Sequence, residues 1–443
     1  MTNKIETYPA YKDSGVEWLG EIPSPWKKMK LKLITTIYNG DSLNENKKAK
    51  YESDDKNHIA YISSKDIDLG TSNISYKNGL RIPKNEPNYK VAKSNSSLIC
   101  IEGGSAGRKI AFTNQDVCLV NKLACISPKN NIHSKFIYYT LKGSLFQTLF
   151  KLAVSGVIGG VAISSINNFY TLIPPLPEQT AIAIFLDSKT TLIDQAIGIK
   201  QRQIELLKER RQILIHKAVT RGLNPNVKLK DSGVEWIGEI PEEWEVKRLA
   251  SFGKFSKGGG FSKADLTESG ASAILYGDIY TKYDIQVKKG VRFISNLTAK
   301  KSVEVKKGNL LFTGSGETME DIGKCVVFSS DKVTVAGGDV IIFEQYQNDS
   351  LYLSYVLNTE GAKFEKAKYS KGEIIVHTYG SKLKDIYIPI PPIAEQKEIT
   401  QYIEISLTKI ATTISLKEQE IEKLKEYKAT LINSAVTGKI KVI

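Results

Sequence analysis

The segment Lys12-Asp13-Ser14-Gly15-Val16-Glu17-Trp18-Leu19-Gly20-Glu21-Ile22-Pro23 returns 218 residues later as Lys230-Asp231-Ser232-Gly233-Val234-Glu235-Trp236-Ile237-Gly238-Glu239-Ile240-Pro241, and Trp26 returns as Trp244. Chance does not produce a match of that length, and self-similarity at a fixed period constrains a fold before any local reading does. A second pair of anchors, Ile173-Pro174-Pro175-Leu176-Pro177-Glu178-Gln179 and Ile390-Pro391-Pro392-Ile393-Ala394-Glu395-Gln396, repeats at 217, as do Ala218-Val219-Thr220 and Ala435-Val436-Thr437. The chain is two copies of one unit. Between the anchors the offset drifts: Lys65-Asp66-Ile67 answers Gly277-Asp278-Ile279 at 212, Gly104-Ser105 answers Gly314-Ser315 at 210, and Gly107-Arg108 answers Gly323-Lys324 at 216. A frame kept at its ends with altered middles is the pattern of two binding specificities on one scaffold; neutral drift of a duplicated domain is the competing account.

After each Pro-Pro stretch the chain enters a long polar segment with an apolar stripe. Leu186, Ile193, Ile197, Ile204, Leu207 and Leu214 in the first copy, and Ile403, Leu407, Ile410, Ile414, Ile421, Leu424 and Leu431 in the second, fall at heptad steps. Pro177 with Glu178 suits a helix opening, because proline is tolerated in the first turn and a carboxylate there meets the positive end of the dipole. Each helix is expected to run about 40 residues, or about 60 Å. The matching phase predicts that the two helices pack on each other. Only the short link Arg221 to Lys230 joins the first helix to the second globular unit, so the expected packing is antiparallel, with a pseudo-two-fold relation between the copies. Lys200 and Lys417 occupy equivalent seam positions, and Glu418 or Glu420 stands ready to neutralise them.

The globular parts read as strands at Ile59 to Ile62, Ser97 to Ile101, Lys109 to Phe112 and Val117 to Ile126, then Ala273 to Tyr276, Asn309 to Thr313, Lys324 to Phe328 and Val340 to Phe343. Helical stretches follow around Ser134 to Phe150 and Ser350 to Lys366. The expected fold is α+β, with two mixed α/β domains, residues 1–177 and 221–394, alternating with two long helices, 178–220 and 395–438, and a tail at 439–443.

The formal net charge of +14 suits a polyanionic partner. The excess is uneven: residues 1–223 hold 31 of the 62 Lys and Arg but only 19 of the 48 Asp and Glu. Cys100, Cys118, Cys125 and Cys325 show neither a C-x-x-C spacing nor a companion histidine, so they are expected as buried free thiols rather than zinc ligands or disulfides. No apolar run reaches membrane-spanning length and the first residues are polar, so a cytoplasmic protein is expected.

The repeated Ser-Gly-Val-Glu-Trp segments, the Ile-Pro-Pro-x-x-Glu-Gln run leading into a heptad helix, and the Gly-Ser then Gly-Lys/Arg segment in each copy carry a resemblance over nearly the whole chain. The sequence resembles the specificity subunit of type I restriction-modification enzymes. The resemblance implies two target recognition domains, each reading one half of a bipartite, asymmetric site on double-stranded DNA, and antiparallel helices that act as a ruler. It implies docking of two modification subunits, which methylate adenine, and two restriction subunits, which translocate and cleave. S-adenosylmethionine, ATP and magnesium would then belong to the partners, with no cofactor and no catalytic site on this chain. The residues agree with that: Asn224-Pro225-Asn226 lacks the second proline and aromatic of an amino-methyltransferase loop, Gly323-Lys324-Cys325 does not complete a phosphate loop, and His58, His133, His216 and His377 form no H-x-x-x-H pair. The alternative is a coiled-coil scaffold that binds nucleic acid without specificity.

Base reading needs side chains that hydrogen-bond edges in the major groove, flanked by phosphate contacts that fix register, and loops between strands are their usual carriers. In the first domain Gly103-Gly104-Ser105-Ala106-Gly107-Arg108-Lys109 sets small residues beside two cations, so Ser105, Arg108 and Lys109 are candidates, with Arg108 able to fork onto a guanine or hold a phosphate. Its counterpart offers Ser315, Glu317 and Thr318, with Lys324 behind. Ser63, Ser64 and Lys65 after one expected strand, and Tyr280 and Lys282 after its equivalent, complete the set. Tight glycine turns with solvated charges are the competing account for each loop. Trp18 and Trp236 are expected to pack at a domain-to-helix junction rather than to stack on bases.

Overall fold

The computed structural model describes residues 6–55, 57–84, 86, 89–316, 322–368 and 376–442. It divides into two compact units, one of residues 1–201 with 417–443, the other of 202–416.

Each unit contains one copy of the repeated segment, which folds as a short hairpin. Tyr11–Asp13 pairs antiparallel with Glu21–Pro23, and Leu229–Asp231 with Glu239–Pro241. The turn is dictated by the motif itself. The Asp13 carboxylate accepts the Gly15 N–H at 2.9 Å and the Ser14 hydroxyl that of Val16 at 3.1 Å, while Asp231 and Ser232 repeat both bonds at 3.0 and 3.2 Å. Gly15 and Gly233 take φ of +65° and +72°, a region that only glycine enters cheaply.

The globular body of the first unit holds two four-stranded sheets. One has the order Arg81–Ile82, Ile59–Ile62, Val117–Leu119, Val91–Ala92, with its central pair parallel; the other runs Thr35–Asn39, Leu123–Pro128, Ser97–Cys100, Ile110–Phe112, antiparallel throughout. The second unit builds two five-stranded sheets, again with a central parallel pair, Ala271–Ile274 on Thr334–Ala336. The expected strand Val117 to Ile126 is two strands in different sheets, because the chain turns at Val120 to Lys122. All four cysteines are buried and free.

A helix pair follows each body: α1 (Ser134–Lys142) and α2 (Ser144–Ala153) in the first unit, α4 (Ser350–Leu357) and α5 (Glu360–Lys368) in the second. Sequence periodicity merges each pair into one helix, but Gly143 is extended at φ −71° and ψ 156°, which separates α1 from α2. The long helices are α3 (Leu176–Arg221, 46 residues) and α6 (Ile393–Val436, 44 residues). No helix among the described residues is long and apolar enough to cross a membrane.

The Glu-Gln of each Pro-Pro-x-x-Glu-Gln run joins body to rod. Glu178 accepts the indole N–H of fully buried Trp26 at 3.0 Å and also the Tyr8 hydroxyl, and Glu395 accepts the indole N–H of Trp244 at 2.9 Å. Gln179 takes the His133 N–H at 2.9 Å, the residue that caps α1, and donates to the Pro174 carbonyl at 2.9 Å. Gln396 does the same with the Asp349 N–H at 2.8 Å and the Pro391 carbonyl at 2.9 Å. The junction aromatics are therefore Trp26 and Trp244. Trp18 is half exposed, and only Trp236 packs, against Gly361 on α5, which corrects the expectation of a shared junction role for that pair. Because Gln396 is buried and its amide meets a main-chain donor and acceptor, Gln396→Ala is expected to cost about 1–3 kcal/mol by leaving them unpaired, read as a lowered urea midpoint.

Within the first unit the start of α3 and the end of α6 pack antiparallel: Asp194 pairs with Lys428 at 2.6 Å and Lys200 with Glu420 at 2.5 Å, so one number rises as the other falls. Leu186, Ile193, Leu431 and Ile432 fill that seam. In the second unit Ile215, Ala218 and Val219 share a core with Ile399 and Ile403. The two seam lysines do not confront each other unscreened, since Glu420 also accepts Lys417 at 3.4 Å and is held below the usual carboxylate range by these cations, Lys200 first. α3 carries a second apolar series, Ile184, Leu192, Ile199, Leu206 and Ile213, all of them exposed and outside the heptad stripe.

Candidate nucleic-acid interface

The candidate residues fall into one cluster in each unit. In the first, Ser63 caps a single 3₁₀ turn, Ser64–Asp66, its hydroxyl and N–H both donating to Asp66 at 2.8 and 2.7 Å. Lys65 projects from that turn and is exposed. The loop at Gly103–Lys109 lies beside it: Lys109 donates to the Ser64 carbonyl at 2.6 Å, and the Ser105 carbonyl accepts the N–H groups of Arg108 and Lys109 at 3.0 and 3.2 Å. Gly107 has φ +72°, and a Cβ there would lie 2.6 Å from the Phe150 ring, so the loop presses flat onto α2 with no room for a side chain. Arg108 is exposed and meets no carboxylate among the described residues.

The second unit repeats the connection with other residues. Asp278 is the counterpart of Asp66, accepting the N–H three positions earlier, of Leu275, at 3.2 Å; it is buried and also paired with Arg292 at 3.0 Å. Tyr280 donates its hydroxyl to the Ser315 carbonyl at 3.1 Å, and Lys324 donates to the Tyr283 carbonyl at 2.6 Å. Lys324 thus also ties its segment to a main-chain carbonyl, but from the position of Arg108 and to an acceptor seven residues beyond the counterpart of Ser64. The Ser315 side chain is buried and shares a hydrogen bond with His377 Nδ1 at 3.0 Å, while Lys282 is exposed at the end of its short helix. Glu317 and Thr318 lie outside the described residues.

Two clefts flank the first cluster. One, of about 740 Å³, runs between the loop and the helix pair, with Arg108, Lys142, Lys425 and Lys428 around a floor that includes Ile197 and Ile432. Asp194 neutralises Lys428, and Lys142 donates to the Ser72 hydroxyl at 2.9 Å while burial pulls it down to about 8. The other, of about 460 Å³, lies at Lys65 and Lys109 beside Asp66, Asp68 and Asn73. In the second unit a cleft of about 430 Å³ is lined by Ser315 and by Lys257, Asp339, His377 and Tyr379, which sequence reasoning did not single out. Lys142, Lys425 and Lys428 also went unnoticed, although the helical phase that sets Lys428 beside the seam residue Leu424 was available. The arrangement offers cations, hydroxyls and amides around open grooves, which is equipment for holding a polyanion and hydrogen-bonding its edges.

Comparison with known proteins agrees with this geometry. The model of the type I restriction modification DNA specificity domain matches twice, over residues 23–209 and 241–426. The MjaVIII specificity subunit of Methanocaldococcus jannaschii is 26% identical, covering 80% of this chain and 80% of its own. The putative MjaX specificity subunit of the same organism is 25% identical over 96% of each, and the EcoKI specificity subunit of Escherichia coli K12 is 23% identical over 87% of this chain and 82% of its own. Among solved structures, a chain described under the structural basis of complex assembly and conformational transition of the type I R-M system superposes with a TM-score of 0.71 at 14% identity, covering 94% of this chain and 99% of the other. The HsdS subunit of Thermoanaerobacter tengcongensis gives a TM-score of 0.55 at 15% identity, covering 94% and 98%. With the model matched twice and the two units built alike, the chain belongs to the type I restriction-modification DNA specificity family, as a specificity subunit.

Proposed function

We propose that each unit reads one half of a bipartite, asymmetric site on double-stranded DNA, and that the chain carries no catalytic site of its own. The observation that supports this best is the double construction. One frame is built twice, and in each copy a lysine ties a turn to a glycine-bounded segment, yet the side chains that face outward differ: Lys65 and Arg108 in one, Lys282 in the other. Two unlike readers on like frames call for two unlike half-sites, which two-headed major-groove readers place about one helical turn apart. Ser63, Ser64, Lys65, Ser105, Arg108 and Lys109 would serve the first half, and Tyr280, Lys282, Ser315, Glu317, Thr318 and Lys324 the second. Those whose side chains bond internally act by shaping the loop, the exposed ones by touching DNA.

The exposed apolar series on α3 supports protein partners on the rods. In this reading two modification subunits dock there and methylate adenine with their own S-adenosylmethionine, and two restriction subunits join with ATP and magnesium. Ile199→Asp is expected to weaken co-purification with the modification subunit at least about tenfold while leaving duplex binding by the isolated chain unchanged. The decisive experiment exchanges residues 28–170 for those of another family member and maps methylated adenines in host DNA. One half-site changes and the other stays; a change in both would refute the division of labour.

A further inference from the structure

The two units seat their reading segments on the helix pair with the same two acceptors and different donors. In the first unit the Gln147 amide, on α2, donates to the Gly107 carbonyl at 3.1 Å and to the Leu141 carbonyl at 2.8 Å. The carbonyls 216 positions on, Gly323 and Leu357, both accept from the Lys366 ammonium, on α5, at 2.6 and 2.7 Å. Lys366 is not the counterpart of Gln147. At the same offset it replaces Phe150, whose ring lies against Gly107 as the Lys366 stem lies against Gly323, where a Cβ would stand 3.1 Å from Lys366 Cδ. The counterpart of Gln147 is Lys363, which turns outward and pairs with Glu360 at 2.9 Å. One clamp is therefore made by two routes, a neutral amide in one copy and a fully buried amine in the other.

We propose that Gln147 and Lys366 are the positioning residues that hold the two reading segments in place, and that the second segment is linked to a proton where the first is not. The proposal rests on the reading of these segments as DNA contacts. Burial holds Lys366 down to about 8, against an ordinary value of 10.5. Among the described residues the groups that face it are Cys325 from the neighbouring strand, whose thiol burial pushes up to about 12 and so keeps neutral, and Lys363 and Glu360 on its own helix. Opening of the segment hydrates Lys366 and restores the ordinary value, so the open form binds the proton more tightly between the two values. Opening is greatest below about pH 8 and falls as pH rises from there toward 10.5. Gln147 has no proton to lose; Lys142, which lines the cleft beside Gly107 and is likewise held down to about 8, donates to the Ser72 hydroxyl at 2.9 Å and not to the clamped carbonyls, so opening of the first segment does not break its bond.

Amide hydrogen exchange on the full chain at pH 7.5 and 9.0, corrected for the intrinsic rate, tests this without DNA. Protection around Gly323–Cys325 should rise roughly tenfold between those values while that around Gly107–Lys109 stays flat. Equal pH slopes in the two segments would overturn the proposal, and this comparison needs no variant. Lys366→Phe should lower protection around Gly323 and abolish its rise; adding Lys363→Gln, which imports the chemistry of the first unit, should restore protection with a flat profile. A rise that survives in Lys366→Phe would also sink the idea. Duplex affinity is read separately. Exchange that behaves as stated, with unchanged affinity for the second half-site in Lys366→Phe, would leave the clamp standing and remove the reading of Gly323–Lys324 as a DNA contact.

Discussion

Trp244→Ala is expected to destabilise the chain by about 3–5 kcal/mol. The side chain is essentially fully buried, in a core that includes Ile215, Val219, Ile240, Tyr352 and Ile399. Its six-membered ring also lies 3.2 Å from where a Cβ on Gly222 would stand, so removing it opens a void where the rod ends and the repeated hairpin begins. Beyond the lost packing, the Glu395 carboxylate forfeits its indole donor, held at 2.9 Å. Urea unfolding of the full chain, followed by circular dichroism, measures the loss. Trp244→Phe keeps most of the volume and should recover more than half of it. Trp18→Ala provides the contrast: that ring is 51% exposed, and its loss should stay within about 0.5 kcal/mol. Equal losses at Trp18 and Trp244 would show that the half-exposed hairpin aromatic contributes as much as the buried indole, against the separate roles assigned to them.

Much of this frame could be read from the residues, because its signals are periodic or repeated. Heptad spacing marked the seam: of its thirteen residues Leu186, Ile193, Ile204, Ile403, Ile410, Ile421 and Leu431 are buried, and Ile197, Leu207, Leu214, Leu407, Ile414 and Leu424 are half-buried. The exposed series from Ile184 to Ile213 escaped because a stripe on a helix says nothing about how many faces are apolar until one is assigned a partner. The split between α1 and α2 was hidden at Gly143, since a glycine inside a helical pattern is as often tolerated as it is a break. The site was less legible. Residue type marked Ser63, Lys109 and Lys324 as groups able to meet DNA, but not that Asp66 and two main-chain carbonyls already take their hydrogen bonds. Lys366 was beyond reach for the same reason. Lysine is the default solvated residue, and only the fold shows one with both of its acceptors on the main chain.

Arg108→Ala is expected to weaken duplex binding about tenfold at moderate salt, and to do so alike for cognate and scrambled sequences. Two readings of this side chain stood on the residues alone, a fork onto a guanine or a grip on a phosphate. Its surroundings favour the phosphate. The cleft of about 740 Å³ that Arg108 lines is walled by Lys142, Lys425 and Lys428, three more cations, of which Asp194 pairs with Lys428 and Glu422 with Lys425, leaving Lys142 beside Arg108 without a carboxylate among the described residues. A run of like charges along a groove follows a backbone, whereas base reading calls for a lone donor fork set among neutral groups. The two readings give different numbers. A phosphate contact contributes about 0.9 to the slope of log affinity against log salt, so Arg108→Ala should flatten that slope by about that amount. A guanine contact would leave the slope nearly unchanged and cost about 1–3 kcal/mol only on the duplex that carries the right base. Titrations of the isolated chain at several salt concentrations, on the cognate duplex and on one altered in the first half-site, separate the two outcomes. A loss confined to the cognate duplex would move Arg108 from holding the strand to reading it.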